Sequence, residues 1–125
     1  MKETVLLYRI DGDTREKILN ILKQLDIEYR DIPEKDIHQK MGYLLEIPGY
    51  EDSENTIPEA KLDKEFVFFA YMSEPQLDIL LQLFKASQVP YIPYKAMLTE
   101  SNVEYRFYDL YQNVQHEYQQ MTGGQ

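Results

Sequence analysis

Asp11 and Asp13 stand one residue apart at the end of the apolar run Val5-Leu-Leu-Tyr-Arg-Ile10, and no other pair in the chain is better spaced for chemistry. Two carboxylates at the end of a strand can hold Mg²⁺ between them, and one can attack a phosphoryl group while the other moves a proton. A second acidic pair would have to follow another strand to complete such a site. Ser73 and Thr99 stand in those places instead. Turn and helix-cap duty therefore accounts for Asp11 and Asp13 at least as well.

The remaining chemistry is sparse. His38 and His116 lie far apart without a second His at ligand spacing, and each reads as an exposed helix residue. Gly12 is isolated, so there is no phosphate-cradling loop, and no Gly-x-Ser-x-Gly elbow occurs. Tyr105, Tyr108, Tyr111 and Tyr118 fall on one helical segment, but no basic stripe accompanies them, as nucleic-acid stacking would require. Haloacid-dehalogenase-like phosphatases resemble the chain at Asp11-x-Asp13 alone. No catalytic set, metal site or cofactor is expected.

Composition narrows the partners. Thirteen basic residues against 22 acidic ones give a net charge of −9, with the cations scattered along the chain. Binding to nucleic acid or to an anionic membrane needs clustered Lys and Arg, so neither is expected. The chain has no Cys, hence no disulfide and no thiolate chemistry. Phe66–Met72 is the longest apolar run, far short of the ~20 residues that span a bilayer. These features fit a cytoplasmic protein.

The elements that position these residues are written twice. Val5–Lys35 aligns without a gap onto Val67–Met97 at an offset of 62, pairing Leu19 with Leu81, Lys23 with Lys85, Ile27 with Val89 and Tyr29 with Tyr91. Each copy reads as apolar strand, polar turn, amphipathic helix and a shorter strand, a β-α-β unit. Ile18, Leu19, Leu22 and Leu25 mark the buried stripe of one helix; Leu77, Leu80, Leu81 and Phe84 mark the other. Ser73-Glu-Pro-Gln76 is a capping box with proline in the first turn. Pro90 and Pro93 make the last strand an edge strand or irregular.

Between the copies, Ile37, Met41, Leu44 and Leu45 predict a helix from Glu34 to about Glu46, with Gly42 inside it for close packing or a nearby ligand. Residues 48–64 form a long acidic, mobile loop. Ser101–Glu104 opens a last helix that carries Val103, Phe107, Leu110 and Val114 down one face. The expected fold is one α/β domain over residues 1–120, followed by a disordered tail, 121–125, that resembles part of an epitope tag. Its four-stranded sheet has order 2-1-3-4, is parallel, and carries helices on both faces, those after the two central strands lying on opposite faces. A ferredoxin-like α+β sheet, order 4-1-3-2, is the alternative, disfavoured because about thirty residues separate the second and third strands where a hairpin needs only a few.

Two stretches carry a family resemblance. Gln39-Lys-Met-Gly-Tyr-Leu-Leu45 is one; Lys95-Ala-Met-Leu-Thr-Glu-Ser-Asn102, followed by Tyr105-x-Phe107-Tyr108-x-Leu110, is the other. The chain resembles, over most of its length, an uncharacterised family of small Firmicute proteins catalogued as a domain of unknown function, in which Trp often stands at the position of Tyr105. The resemblance implies that Gln39, Gly42, Lys95, Thr99, Asn102 and Tyr105 gather in one place. The binding site expected at this strand-to-helix junction is Gln39, Tyr43, Lys95, Thr99, Asn102 and Tyr105, with Gln39 and Tyr43 closing it from the middle helix. A weakly anionic group, such as a carboxylate, suits it better than a free phosphate, because Glu100 and Glu104 sit in the same turn. The structural alternative has Asn102 and Thr99 satisfying the junction and Lys95 snorkelling. The functional expectation is a non-catalytic domain that binds a partner protein or small effector, with oligomers possible; the alternative is a small Mg-dependent hydrolase or phosphotransfer protein using Asp11 and Asp13.

Overall fold

In the computed structural model, which describes residues 2–57 and 62–122, both copies fold as β-α-β units. Strand β1 (Thr4–Tyr8), helix α1 (Gly12–Gln24) and strand β2 (Glu28–Asp31) form the first; β3 (Phe66–Ala70), α3 (Glu74–Ala86) and β4 (Tyr94–Met97) form the second. Helix α2 (Met41–Leu44) lies between them and α4 (Phe107–Thr122) closes the chain. No helix among the described residues is long and apolar enough to cross a membrane.

The strand order is β2-β1-β3-β4, as expected, with β1 and β3 central. Both central strands are buried along their whole length, which two-faced apolar strands require. The sheet is mixed rather than parallel: β1 runs parallel to β2 and β3 to β4, but β1 and β3 are antiparallel, with Leu6 opposite Phe68.

That reversal moves a helix. A right-handed crossover fixes which face its helix occupies once strand direction and neighbour are set. With the second unit turned end for end, α3 falls on the same face as α1, not the opposite one. Accordingly Ile18, Ile21 and Leu22 of α1 and Leu80 and Phe84 of α3 share one core with Val5, Leu7, Val67 and Phe69. The other face (Leu6, Tyr8, Phe66, Phe68) packs against Met41 and Leu45 around α2 and Phe107, Leu110 and Tyr111 of α4. Helices do cover both faces.

The offset of 62 persists in backbone detail. Arg9 and Tyr71 turn the chain after β1 and β3 at φ 57° and 66°. Asp26 and Gln88 do so after α1 and α3, at φ 57° and 62°. Ile27 N–H bonds Leu22 O and Val89 N–H bonds Phe84 O, each at 2.9 Å, closing both helices alike. The offset ends at the fourth strand. Glu28 N–H donates to Glu3 O at 3.1 Å. Pro90, its counterpart, has no N–H to give, and β4 starts four residues later than β2 would place it.

The helix expected over 34–46 is replaced by a 3₁₀ turn at Glu34–Asp36 and the four residues of α2. Tertiary pairing takes the backbone between them: Lys40 bridges Arg106, Met41 N–H bonds Tyr105 O at 2.8 Å and Phe107 N–H bonds Gln39 O at 2.9 Å. The last helix likewise starts later than expected, at Phe107, after a 3₁₀ turn at Asn102–Glu104, and continues to Thr122, into the segment read as tail. Residues 123–125 lie outside the described residues, as do 58–61 of the long loop. The flanks of that loop are pinned. Tyr8 Oη donates to Leu62 O at 2.7 Å, and Lys64 N–H donates to Tyr111 Oη at 2.9 Å.

Candidate functional site

The junction after β4 is built from hydrogen bonds within the chain. Asn102 Oδ1 accepts Thr99 N–H at 2.8 Å, Thr99 Oγ1 accepts Asn102 N–H at 2.9 Å, and Asn102 Nδ2 donates to Met97 O at 2.7 Å. Asn102 is buried and its polar atoms are engaged. Gln39, also buried, donates from Nε2 to Asp52 Oδ1 at 2.6 Å and accepts Ser53 N–H at 2.9 Å, tying the long loop to the body. Helix α2 packs against the Asn102–Glu104 turn, which brings Gln39, Asn102 and Tyr105 into one region. Tyr43 faces a separate recess of ≈ 600 Å³ with Arg30, Asp36 and Tyr50.

Lys95 does not join them. In β4 it pairs with Val67, so strand alternation turns its side chain toward the α1–α3 face. There Leu81 and Phe84 of α3 and Val89, Pro90, Tyr91 and Ile92 of the approach to β4 enclose a groove of ≈ 470 Å³ with Lys95 at its rim. Lys95 Nζ donates to Ile92 O and lies 4.6 Å from the centre of the Tyr91 ring. Burial holds its pKa below the usual lysine value. Tyr91 is 75% exposed. An apolar floor, an open aromatic wall and two lysines, Lys95 and Lys85, make a site for an apolar molecule with one anionic end.

The first repeat carries a counterpart. Leu19, Asn20, Lys23, Ile27, Glu28, Tyr29 and Arg30 line a crevice of ≈ 660 Å³ beside β2, several of them 62 residues before the groove residues. Its cation over tyrosine is Arg15, 5.6 Å from the Tyr29 ring centre, but Arg15 is neutralised by Asp31 through two bonds of 2.6 and 2.9 Å. In the second groove Lys95 has no carboxylate partner among the described residues. Tyr91, Leu81 and Phe84 are the groove members that motif reading missed; the repeat pairing of Tyr29 with Tyr91 beside Pro90 was the available signal.

Asp11 caps α1 through its backbone without a side-chain cap bond, and Asp13 lies 3.7 Å from Lys17. The antiparallel centre places the start of β3 beside the end of β1, so the crevice between parallel carboxyl ends is missing there. No group of three or more His, Cys, Asp or Glu among the described residues is placed to hold a metal. His116 is exposed on α4, whereas His38 lies outside any helix and is buried, its Nδ1 without a hydrogen-bond partner.

Residues 65–121 match the model of a domain family of unknown function (DUF3783). The matched span runs from the edge of β3 into the last turns of α4. It includes the Lys95–Asn102 and Tyr105–Leu110 motifs and the whole α3–β4 groove, while the Gln39–Leu45 motif lies outside it. No curated protein and no solved structure matches the chain.

Proposed function

We propose that this is a non-catalytic binding domain whose α3–β4 groove takes a small apolar acid. The observation that carries the reading is Lys95: a half-buried ammonium at the mouth of an apolar groove, without a carboxylate partner among the described residues. A bound carboxylate would supply that partner, while the hydrocarbon lies along Leu81, Phe84 and Val89 and under Tyr91. The groove volume falls in the range of small-ligand sites, roughly 300–1,000 Å³. Absence of cysteine supports a cytoplasmic setting, and the recurrence at 62 residues supports an origin by duplication of one β-α-β unit.

Titration with octanoate, followed by amide chemical shifts, tests this. Shifts concentrated over 81–95 are expected, with octanol binding more weakly. Losing a charge-assisted hydrogen bond weakens binding about tenfold or more, the effect expected of Lys95→Met. Lys95→Met exchanges a half-buried ammonium for an apolar side chain of similar length, and it should melt no lower than wild type at neutral pH. Absence of any shift with octanoate in the millimolar range overturns the reading. The hydrolase reading through Asp11 and Asp13 has weaker support, since it depended on a parallel switch point.

A further inference from the structure

We infer that β2 is a homotypic interface: two copies of this chain pair their β2 strands antiparallel, centred on Tyr29, and continue the sheet across a two-fold axis. The inference is independent of the Lys95 groove, which lies at the other end of the sheet.

The backbone settles which residues can pair. Glu28 and Ile32 direct their N–H groups to β1, at 3.1 Å from Glu3 O and 2.8 Å from Leu7 O. Alternation therefore leaves the N–H and C=O of Tyr29 and Asp31 along the outer edge. Glu28, Tyr29 and Asp31 are exposed, and no proline interrupts the strand before Pro33. At the opposite edge, β4 is approached through Pro90 and Pro93 and packs against α4. Of the two edges, β2 is the open one.

Charge then selects the register. A symmetric pair centred on Arg30 sets Arg30 against its own copy. One centred on Asp31 does the same with two carboxylates and brings Tyr29 opposite Pro33. Centred on Tyr29, the two tyrosines exchange backbone hydrogen bonds, and Glu28 of each copy faces Arg30 of the other. Those are non-hydrogen-bonded positions, where Cα atoms approach to about 4.5 Å and opposite charges attract most. Arg30 is held beside the edge by Glu46, 3.4 Å away.

The helices fit the same arrangement. Inside the chain, α1 and α3 already pack over the antiparallel β1–β3 pair. Antiparallel β2 strands set α1 and its copy two strand spacings apart, about 10 Å, a helix-packing distance. The crevice beside Leu19, Ile27 and Tyr29 would then be closed by the second copy.

Sedimentation velocity at about 200 µM, where even weak interfaces are populated, should give twice the monomer mass for wild type. Glu28→Arg and Arg30→Glu should each be monomeric alone, because like charges face each other, and should form a heterodimer when mixed in equal amounts. A monomeric wild type, a dimeric Glu28→Arg, or a mixture of folded variants that stays monomeric overturns the inference. Hydrogen exchange on wild type needs no variant: Tyr29 and Asp31 amides should be protected when concentrated and exchange freely on dilution. Concentration-independent exchange at both overturns it as well.

Discussion

Gly42 lies directly beneath the ring of Tyr50: a Cβ at position 42 would sit 2.7 Å from three of its carbons. The ring is held in place by the hydrogen bond from Tyr50 Oη to Glu104. This contact clamps α2 between the start of the long loop and the turn before α4. It accounts for a glycine in a helix, where helix propensity alone favours alanine by about 1 kcal/mol. Gly42→Ala should cost about 1–3 kcal/mol through overpacking. In a Tyr50→Ala background the same change should be neutral or stabilising, and a denaturant-melt double-mutant cycle measures the coupling. Additive effects would mean that the ring moves aside freely.

Asn102→Ala removes the buried side chain that caps Thr99 N–H and Met97 O at a turn whose other residues are exposed or half-buried. An ordinary hydrogen bond contributes about 0.5–1.5 kcal/mol net, and two are lost here from groups that are only partly shielded from water. A fall in stability of about 1–3 kcal/mol is expected from urea melts, with octanoate affinity at the Lys95 groove unchanged once the variant is folded. Thr99→Val should lose less, since only Asn102 N–H is affected.

Binary pattern made the central strands legible because burial on both faces leaves a continuous apolar run, as in Phe66–Ala70. The same pattern carries no information about strand direction: Phe66–Ala70 is buried on both faces whichever way β3 runs. The connection before β3 is long enough for either sense, so the reversal of β3, and with it the face of α3, was hidden. Ile37, Met41, Leu44 and Leu45 keep helical spacing, yet the backbone at 39–41 is committed to residues 105–107, a pairing that no local window contains. At the candidate site, motif proximity placed Lys95 with Asn102. Strand alternation separates them, because β4 ends at Met97 and Lys95 has already turned to the other face.

The helix stripes were read one position too wide. Leu80 is fully buried under α3, while its neighbour Leu81 is half-buried and lines the groove. Ile18 and Leu19 stand in the same relation on α1, and Leu25 is 39% exposed. Leu80→Ala should therefore cost about 2–5 kcal/mol as a cavity in the core. Leu81→Ala should cost about 1 kcal/mol, because much of its surface is already in water. Equal losses in thermal melts would place Leu81 inside the core and contradict an open groove.

Glu65, at the threshold of β3, offers a pH signature. Burial first, and the nearby Asp11 carboxylate second, hold its pKa above the ordinary glutamate value of 4.5. An acid whose folded-state pKa is raised binds its proton more tightly when folded, so the unfolded chain releases it first as pH climbs. The stability this confers is complete below about pH 4.5 and is lost as pH rises through the folded-state pKa. At pH 7 the ionised Glu65 is thus a burden on the fold. Glu65→Gln keeps the shape without the charge and should melt higher than wild type at pH 7. The gain should shrink steadily on acidification and vanish once wild-type Glu65 is protonated in both states. Asp11→Asn relieves only the smaller repulsion and should give a weaker effect of the same sign. If Glu65→Gln instead melts lower at pH 7, the carboxylate has a favourable partner, and the burial that raises its pKa is outweighed.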